Sequence, residues 1–182
     1  MITKEIVDAF RSYGFSLLSL VPFYVFAILI IVFVVGCLFF LSSKGLRKGS
    51  VYTSRLILIG YIFLIYCVTV FFRAVKVVQR VELSPFWSYS EKNRNHAELL
   101  EENFMNVMVF IPIGALLGIG FSRLQWWKII LIGFALSVVI ELLQLVFKRG
   151  CCEFDDVMHN TLGCLIGYGM FCLFRLCKKH II

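Results

Sequence analysis

The chain has 182 residues, of which 60% are hydrophobic and 16% charged, and its formal net charge is +7 at pH 7. Soluble domains carry roughly 45–50% apolar and about 25% charged residues, so this composition, with a mean hydropathy of +0.91, excludes an ordinary soluble domain. The basic residues lie in short segments between long apolar blocks, where they set membrane topology. The positive charge therefore predicts no nucleic-acid partner.

Residues 1–14 place Ile2, Ile6, Phe10 and Tyr13 on one face and Lys4, Glu5, Asp8 and Arg11 elsewhere. This spacing suits a short amphipathic helix in the membrane interface; a frayed terminus is the plain alternative. The first apolar block, Phe15–Leu41, is too long for the core of a cleavable signal and reads as a span, with Pro22 as its kink. Residues 42–55 carry Lys44, Arg47, Lys48 and Arg55 and no acid. The second span is Leu56–Phe72, and the polar stretch 73–103 follows. Span three is Phe104–Phe121 and contains Pro112. A turn at 122–128 holds Arg123 and Lys128. Span four is Ile129–Phe147, the polar turn 148–156 comes next, and span five runs over Val157–Leu176. A helix needs about 20 apolar residues to cross a bilayer. The fold class expected is all-α, a polytopic membrane helix bundle with about five transmembrane helices. The chain divides into the interfacial segment 1–14, two spans within 15–72, and a core over 73–182 comprising one polar loop and three spans.

The segments 42–55, 122–128 and 175–182 hold nine Lys/Arg and no acid in 29 residues. The alternate segments 1–14, 73–103 and 148–156 hold nine Lys/Arg in 54 residues, offset by ten acids. The denser basic set belongs in the cytoplasm, which predicts an outside N-terminus and an inside C-terminus. Cys37, Cys67, Cys164, Cys172 and Cys177 fall in or at the ends of apolar blocks and read as small hydrophobes; Cys151 and Cys152 lie in a polar turn. Tryptophans 126 and 127, and the segment Ser84–Tyr89, suit interfacial anchors.

The eleventh acid, Glu141, lies inside span four, about 9 Å below its polar end at 1.5 Å per residue. Ionisable groups at such depth face the bundle interior, find partners, and mark functional sites by default; the plain alternative is a hydrogen bond that glues helices. Gln144 shares its face. Asp156, Asn160, Gly163 and Gly167 recur at spacings of 4, 3 and 4, which makes one helical stripe. Asp155 suits an N-cap for that helix. Span three has a matching stripe of Asn103, Asn106, Phe110, Gly114 and Gly118. Small residues at four-residue spacing let helices approach closely, so spans three and five are expected to pack together, with Pro112 bending the former. The polar ends of three spans then converge on one pocket at the outer interface: Asn103, Asn106, Glu141, Gln144, Asp155, Asp156 and Asn160. Arg149 is expected to reach it, neutralising Glu141 or Asp156 or clamping an anionic headgroup. His159 crowds with Cys151, Cys152, Glu153, Asp155 and Asp156, but no standard zinc spacing is present, so neither a metal nor another cofactor is expected.

These residues resemble a known family. The run from Asn103 through Asn106, Phe110 and Pro112 to Gly114 is similar to the N-x-x-N-x-x-x-F-x-P-x-G motif of VanZ-like proteins. Ser137, Glu141 and Gln144 resemble its S-x-x-x-E-x-x-Q. Arg149 followed by Asp155, Asp156, Asn160, Thr161, Gly163 and Gly167 resembles its R…D-D-x-x-x-N-T-x-G-x-x-x-G. Leu83, Pro85 and Phe86 match its outer-loop element, with Glu82 where asparagine is usual. The resemblance covers roughly residues 73–170. It implies a multi-pass protein of the Gram-positive cell membrane. It also implies a link to low-level resistance to teicoplanin, a lipidated glycopeptide, more than to vancomycin, and no settled biochemical activity. The expected partner is a membrane lipid or a lipid-linked envelope precursor, bound or altered at the outer pocket. The competing readings are an intramembrane enzyme with Glu141 and Asp156 as candidate catalytic groups, and a structural or partner-binding subunit. A transporter is disfavoured by the small number of spans and the absence of an inverted repeat.

Overall fold

The computed structural model describes residues 36, 48–71, 73, 75, 80–90 and 96–181. The interfacial segment 1–14, the span Phe15–Leu41 with its Pro22 kink, and Cys37 were read from sequence and, apart from Gly36, lie outside the described residues.

Four long helices make up the described bundle: α1 (Lys48–Tyr66), continued by a π-helical turn over Cys67–Phe71, α2 (His96–Gly120), α3 (Trp126–Val146) and α4 (Phe154–Ile181). Each contains a stretch long and apolar enough to cross a membrane: Val51–Phe71, Glu98–Gly120, Trp126–Val146 and Phe154–Cys177. The protein is thus an integral membrane protein, and these stretches correspond to the second through fifth spans read from sequence.

All four helices start earlier than the hydropathy blocks suggest. The helix α1 begins at Lys48, inside the basic segment, because Lys and Arg favour helix. In α2, residues from His96 precede the apolar block. Glu98, Glu101 and Glu102 are good helix formers, and Glu98 lies in the first turn, where the helix dipole favours a carboxylate. Asp155 and Asp156 occupy the corresponding turn of α4.

The bundle is centred on α2. Of its membrane window 72% is buried, against 22%, 33% and 39% for the windows of α1, α3 and α4, so α2 is the helix the others surround. Phe110, Pro112, Ile113 and Leu116 of α2 are fully buried, and Leu58, Ile65, Ile129, Ile140 and Cys164 pack around them. Pro112 removes one helical donor from this core, and the Tyr61 hydroxyl of α1 donates to the Val109 carbonyl in the same turn at 3.0 Å. The glycine stripes pair α2 with α4 as expected. A Cβ on Gly163 would overlap the Val107 carbonyl, one on Gly167 the Ile111 carbonyl, and one on Gly114 the Cys164 carbonyl. Only hydrogen at these positions permits the backbones to approach that closely.

One element lies outside the helical reading. Val81–Glu82 (β1) and Cys152–Glu153 (β2) form a two-stranded parallel pair, with Val81 opposite Cys152 and Glu82 opposite Glu153. It joins the loop before α2 to the turn before α4. Since successive helices alternate in direction, the ends of α1 and α3 and the starts of α2 and α4 meet at this same end of the bundle.

Candidate functional site: a buried polar cluster at one end of the bundle

The helices α2, α3 and α4 send polar side chains toward this end. In α3, Ser137, Glu141 and Gln144 are buried on one face. In α2, Asn103 is buried, and in α4 so are Asp155, Asp156, His159 and Asn160. A buried polar group must find a partner or leave its desolvation cost unoffset, and the partners found define two layers.

The deeper layer ties the three helices to one another. Asn106 donates through Nδ2 to Asp156 Oδ1 at 2.8 Å. Asn160 donates to Ser137 Oγ at 2.8 Å. Glu141 accepts the Glu153 backbone N–H at 3.0 Å, which fixes β2 above α3. Gln144 donates through Nε2 to the Thr69 carbonyl at 3.2 Å, while its buried Oε1 has no hydrogen-bond partner among the described residues. The position a Cβ on Gly150 would take lies 2.6 Å from Gln144 Oε1 and 3.3 Å from Arg73 Nη1. Glycine at 150 therefore keeps open the space between an unsatisfied acceptor and a guanidinium. Arg73 also pairs with Glu102 at 2.7 Å, and both side chains are partly exposed. Cys152 looks onto the same groups. Its thiol is pushed up by burial and then by the negative charges of Glu141, Asp156 and Glu153.

The upper layer is a strap across the start of α4. The segment 80–90 contains a tight turn with Phe86 in the left-handed region (φ 62°), then a single 3-10 turn at Trp87–Tyr89. Asp155 accepts the Phe86 N–H at 2.6 Å, the Ser88 N–H at 3.0 Å and the Ser88 hydroxyl, and Asn103 donates to Ser88 Oγ at 2.8 Å. Asp155 is therefore not the N-cap of α4, which already begins at Phe154. Its carboxylate points away from its own helix and satisfies the donors of the strap. His159 fixes the other side. Its Nδ1 lies 2.5 Å from the Asp155 carbonyl and its Nε2 2.6 Å from the Tyr89 hydroxyl. A carbonyl only accepts, so Nδ1 carries a proton and donates to it, while Nε2 is hydrogen-bonded to the Tyr89 hydroxyl. Both ring nitrogens are thereby engaged. Among the described residues no group of three or more His, Cys, Asp and Glu side chains is arranged to hold a metal ion. Glu82 accepts the Ser84 N–H at 3.2 Å and Arg80 at 3.3 Å. The Ser84 hydroxyl and amide, with Arg80, hold its carboxyl below the usual range. A side-chain oxygen that accepts a donor two residues on is what an asparagine would supply here.

Arg149 does not pair with Glu141 or Asp156. Its Nη1 donates to the carbonyls of Phe71 and Arg73, each at 2.7 Å. The last carbonyls of a helix lack internal partners and carry partial negative charge, and Arg149 and Gln144 cap them for α1. The sequence reading thus brought the right helices together but missed Arg73, read Ser88 and Tyr89 only as part of an interfacial segment, and weighed His159 only for a metal site. Ser137 was readable, standing on the face of Glu141 and Gln144. The contacts of Ser88 and Tyr89 with α4 carried no signal, because a loop has no periodicity to show where it lands. Arg73 looked like one more topology charge.

No solved structure matches the chain. Protein VanZ of Enterococcus faecium is 29% identical over 122 residues, which cover 64% of this chain and 73% of that protein. The VanZ/LLP1 family matches residues 58–175, from the middle of α1 to the last turns of α4. The matched region contains both layers of the polar cluster and the glycine contacts beneath them, and over this stretch, well more than half of its length, the chain belongs to the VanZ/LLP1 family.

Proposed function

We propose that this protein lowers susceptibility to lipoglycopeptide antibiotics such as teicoplanin by binding or altering an envelope lipid, or a lipid-linked precursor, at the polar cluster. The observation that carries this reading is the Gln144 acceptor, buried without a partner among the described residues and separated from the Arg73 guanidinium only by the space at Gly150. Orphaned buried acceptors are rare in native proteins, and this one stands where three family motifs meet. In this reading the cluster faces outward at headgroup depth, following the charge asymmetry of the loops. Arg73 takes the anion-clamping role, since Arg149 is committed to the end of α1. The strap over Asp155 covers the site, and Asn106 and Asn160 orient its floor.

A second reading, favoured by two buried carboxylates on packed helices, is an intramembrane enzyme in which Glu141 and Asp156 exchange a proton with an envelope lipid. Purified protein that binds a lipid extract without changing it would separate binding from turnover.

The test is teicoplanin and vancomycin susceptibility of a sensitive Gram-positive host carrying the wild type, Glu141→Gln or Asp156→Asn, with membrane abundance measured in parallel. The expected result is selective tolerance to teicoplanin that both variants lose at equal abundance. Variants lost together with the protein would instead indicate a structural or partner-binding subunit. A wild type without effect at good abundance would defeat the resistance reading.

A further inference from the structure

At the opposite end of the bundle, the last turn of α2 meets the first turns of α1. A cavity of about 330 Å³ opens there, lined by Val51 and Arg55 of α1 and by Phe121, Ser122, Arg123 and Leu124 of the turn before α3. The Arg55 side chain is held in place. Its Nε donates to the Gly120 carbonyl at 3.0 Å, and its guanidinium carbon lies 4.4 Å from the Phe121 ring centroid and 5.8 Å from that of Tyr52. The plain account of Arg55 is a cap for the end of α2. Such a cap uses only the Nε–H. The remaining guanidinium N–H groups have no hydrogen-bond partner among the described residues, and the side chain lines an open cavity. Exposed Arg123 adds a second cation, and among the described residues no acid lines the cavity.

The level of this cavity is informative. The membrane window of α1 begins at Val51 and that of α2 ends at Gly120, so the cavity straddles the border between hydrocarbon and water. Exposed Trp126 and Trp127 begin α3 at the same level, where aromatic belts sit. A fixed planar fork matches a phosphate bidentately, while Val51, Phe121 and Leu124 offer apolar wall to whatever the phosphate is attached to. Basic pockets between membrane helices are suited to anionic headgroups.

We propose that this cavity binds the phosphate of an anionic phospholipid headgroup, with Arg55 as the pre-set fork and Arg123 as the second cation. The inference does not rest on the function proposed for the polar cluster, since the two sites lie at opposite ends of the bundle.

The experiment measures binding of phosphatidylglycerol and phosphatidylcholine to the purified full chain in detergent by native mass spectrometry. Arg55→Gln would remove the cap of α2 along with the fork, so the informative variant is the exposed Arg123→Gln. Lys128→Gln removes an equal charge outside the cavity lining and serves as its control. The expected result is a preference for phosphatidylglycerol that falls about tenfold in Arg123→Gln, the size of one lost charged hydrogen bond, and by less than about twofold in Lys128→Gln. Inorganic phosphate that displaces the lipid from wild type would assign the recognition to the phosphate itself; failure to displace would assign it to the whole headgroup. Both agree with the proposal. Equal binding of the two lipids, no change in Arg123→Gln, or equal losses in the two variants would overturn it.

Discussion

Asp155 shows how much one carboxylate determines at this site. It sits fully buried and satisfies two backbone amides and a hydroxyl of the strap. Asp155→Ala would leave buried donors unpaired, at about 1–3 kcal/mol each. The cost falls on the strap, since the helices beneath keep their own contacts. Amide exchange across residues 80–90 should therefore quicken by about tenfold or more in Asp155→Ala, a factor that corresponds to about 1.4 kcal/mol, while exchange in the α2 core stays slow. Unchanged exchange in the strap would show that Asp155 does not hold it. Cys152 provides a second residue-level readout. Burial and then the charges of Glu141, Asp156 and Glu153 raise its thiol pKa, so less of it is thiolate at a given pH and alkylation is slower. In a chain keeping Cys152 as its sole cysteine, Glu141→Gln should move the alkylation midpoint to lower pH, because one of the opposing charges is gone. An unmoved midpoint would mean that Glu141 carries no charge felt at Cys152.

At the scale of elements, the pairing of α2 with α4 was readable before any coordinates. Glycines recurring at four-residue spacing on two apolar helices leave few other arrangements, and Gly163, Gly167 and Gly114 meet backbone carbonyls across the interface. Gly163→Ala should lower the unfolding midpoint of the detergent-solubilised protein, at a cost of about 3 kcal/mol, the upper part of the usual overpacking range, because the obstacle is the Val107 main chain and no side chain can rotate away. By contrast, a Cβ on Gly60 would meet nothing within 4 Å among the described residues, and Gly60→Ala should leave the midpoint unchanged or slightly raised. Equal effects at the two positions would argue against the close α2–α4 approach. The helix starts were less readable, because charged residues that favour helix extend α1 and α2 beyond the apolar blocks. The pairing of β1 with β2 gave no sequence signal at all, since a two-residue strand is too short to show alternation.

Over the whole molecule, sequence and structure agree on which helices carry the polar cluster and differ on what surrounds it. Asn106, Glu141, Gln144, Asp156 and Asn160 converge because their spacing fixes their faces on α2, α3 and α4. The strap, the role of Arg149 and the position of Arg73 depend on loops whose landing points only a folded chain reveals. The molecule that results has two chemically distinct ends: one with buried carboxylates, covered by a strap, and one with two arginines around an open cavity. The function proposed for the strap-covered end depends on which side of the membrane it faces.

That orientation is the most direct test. In a chain without native cysteines, Leu83→Cys places a thiol on the exposed strap and Ser122→Cys places one on the exposed basic turn. Both are probed with a membrane-impermeant maleimide on intact protoplasts and again after permeabilisation. The account predicts that the thiol at position 83 reacts in intact protoplasts and the thiol at position 122 only after permeabilisation. The reverse pattern would put the carboxylate cluster in the cytoplasm, out of reach of an extracellular lipoglycopeptide, and would contradict the proposed function.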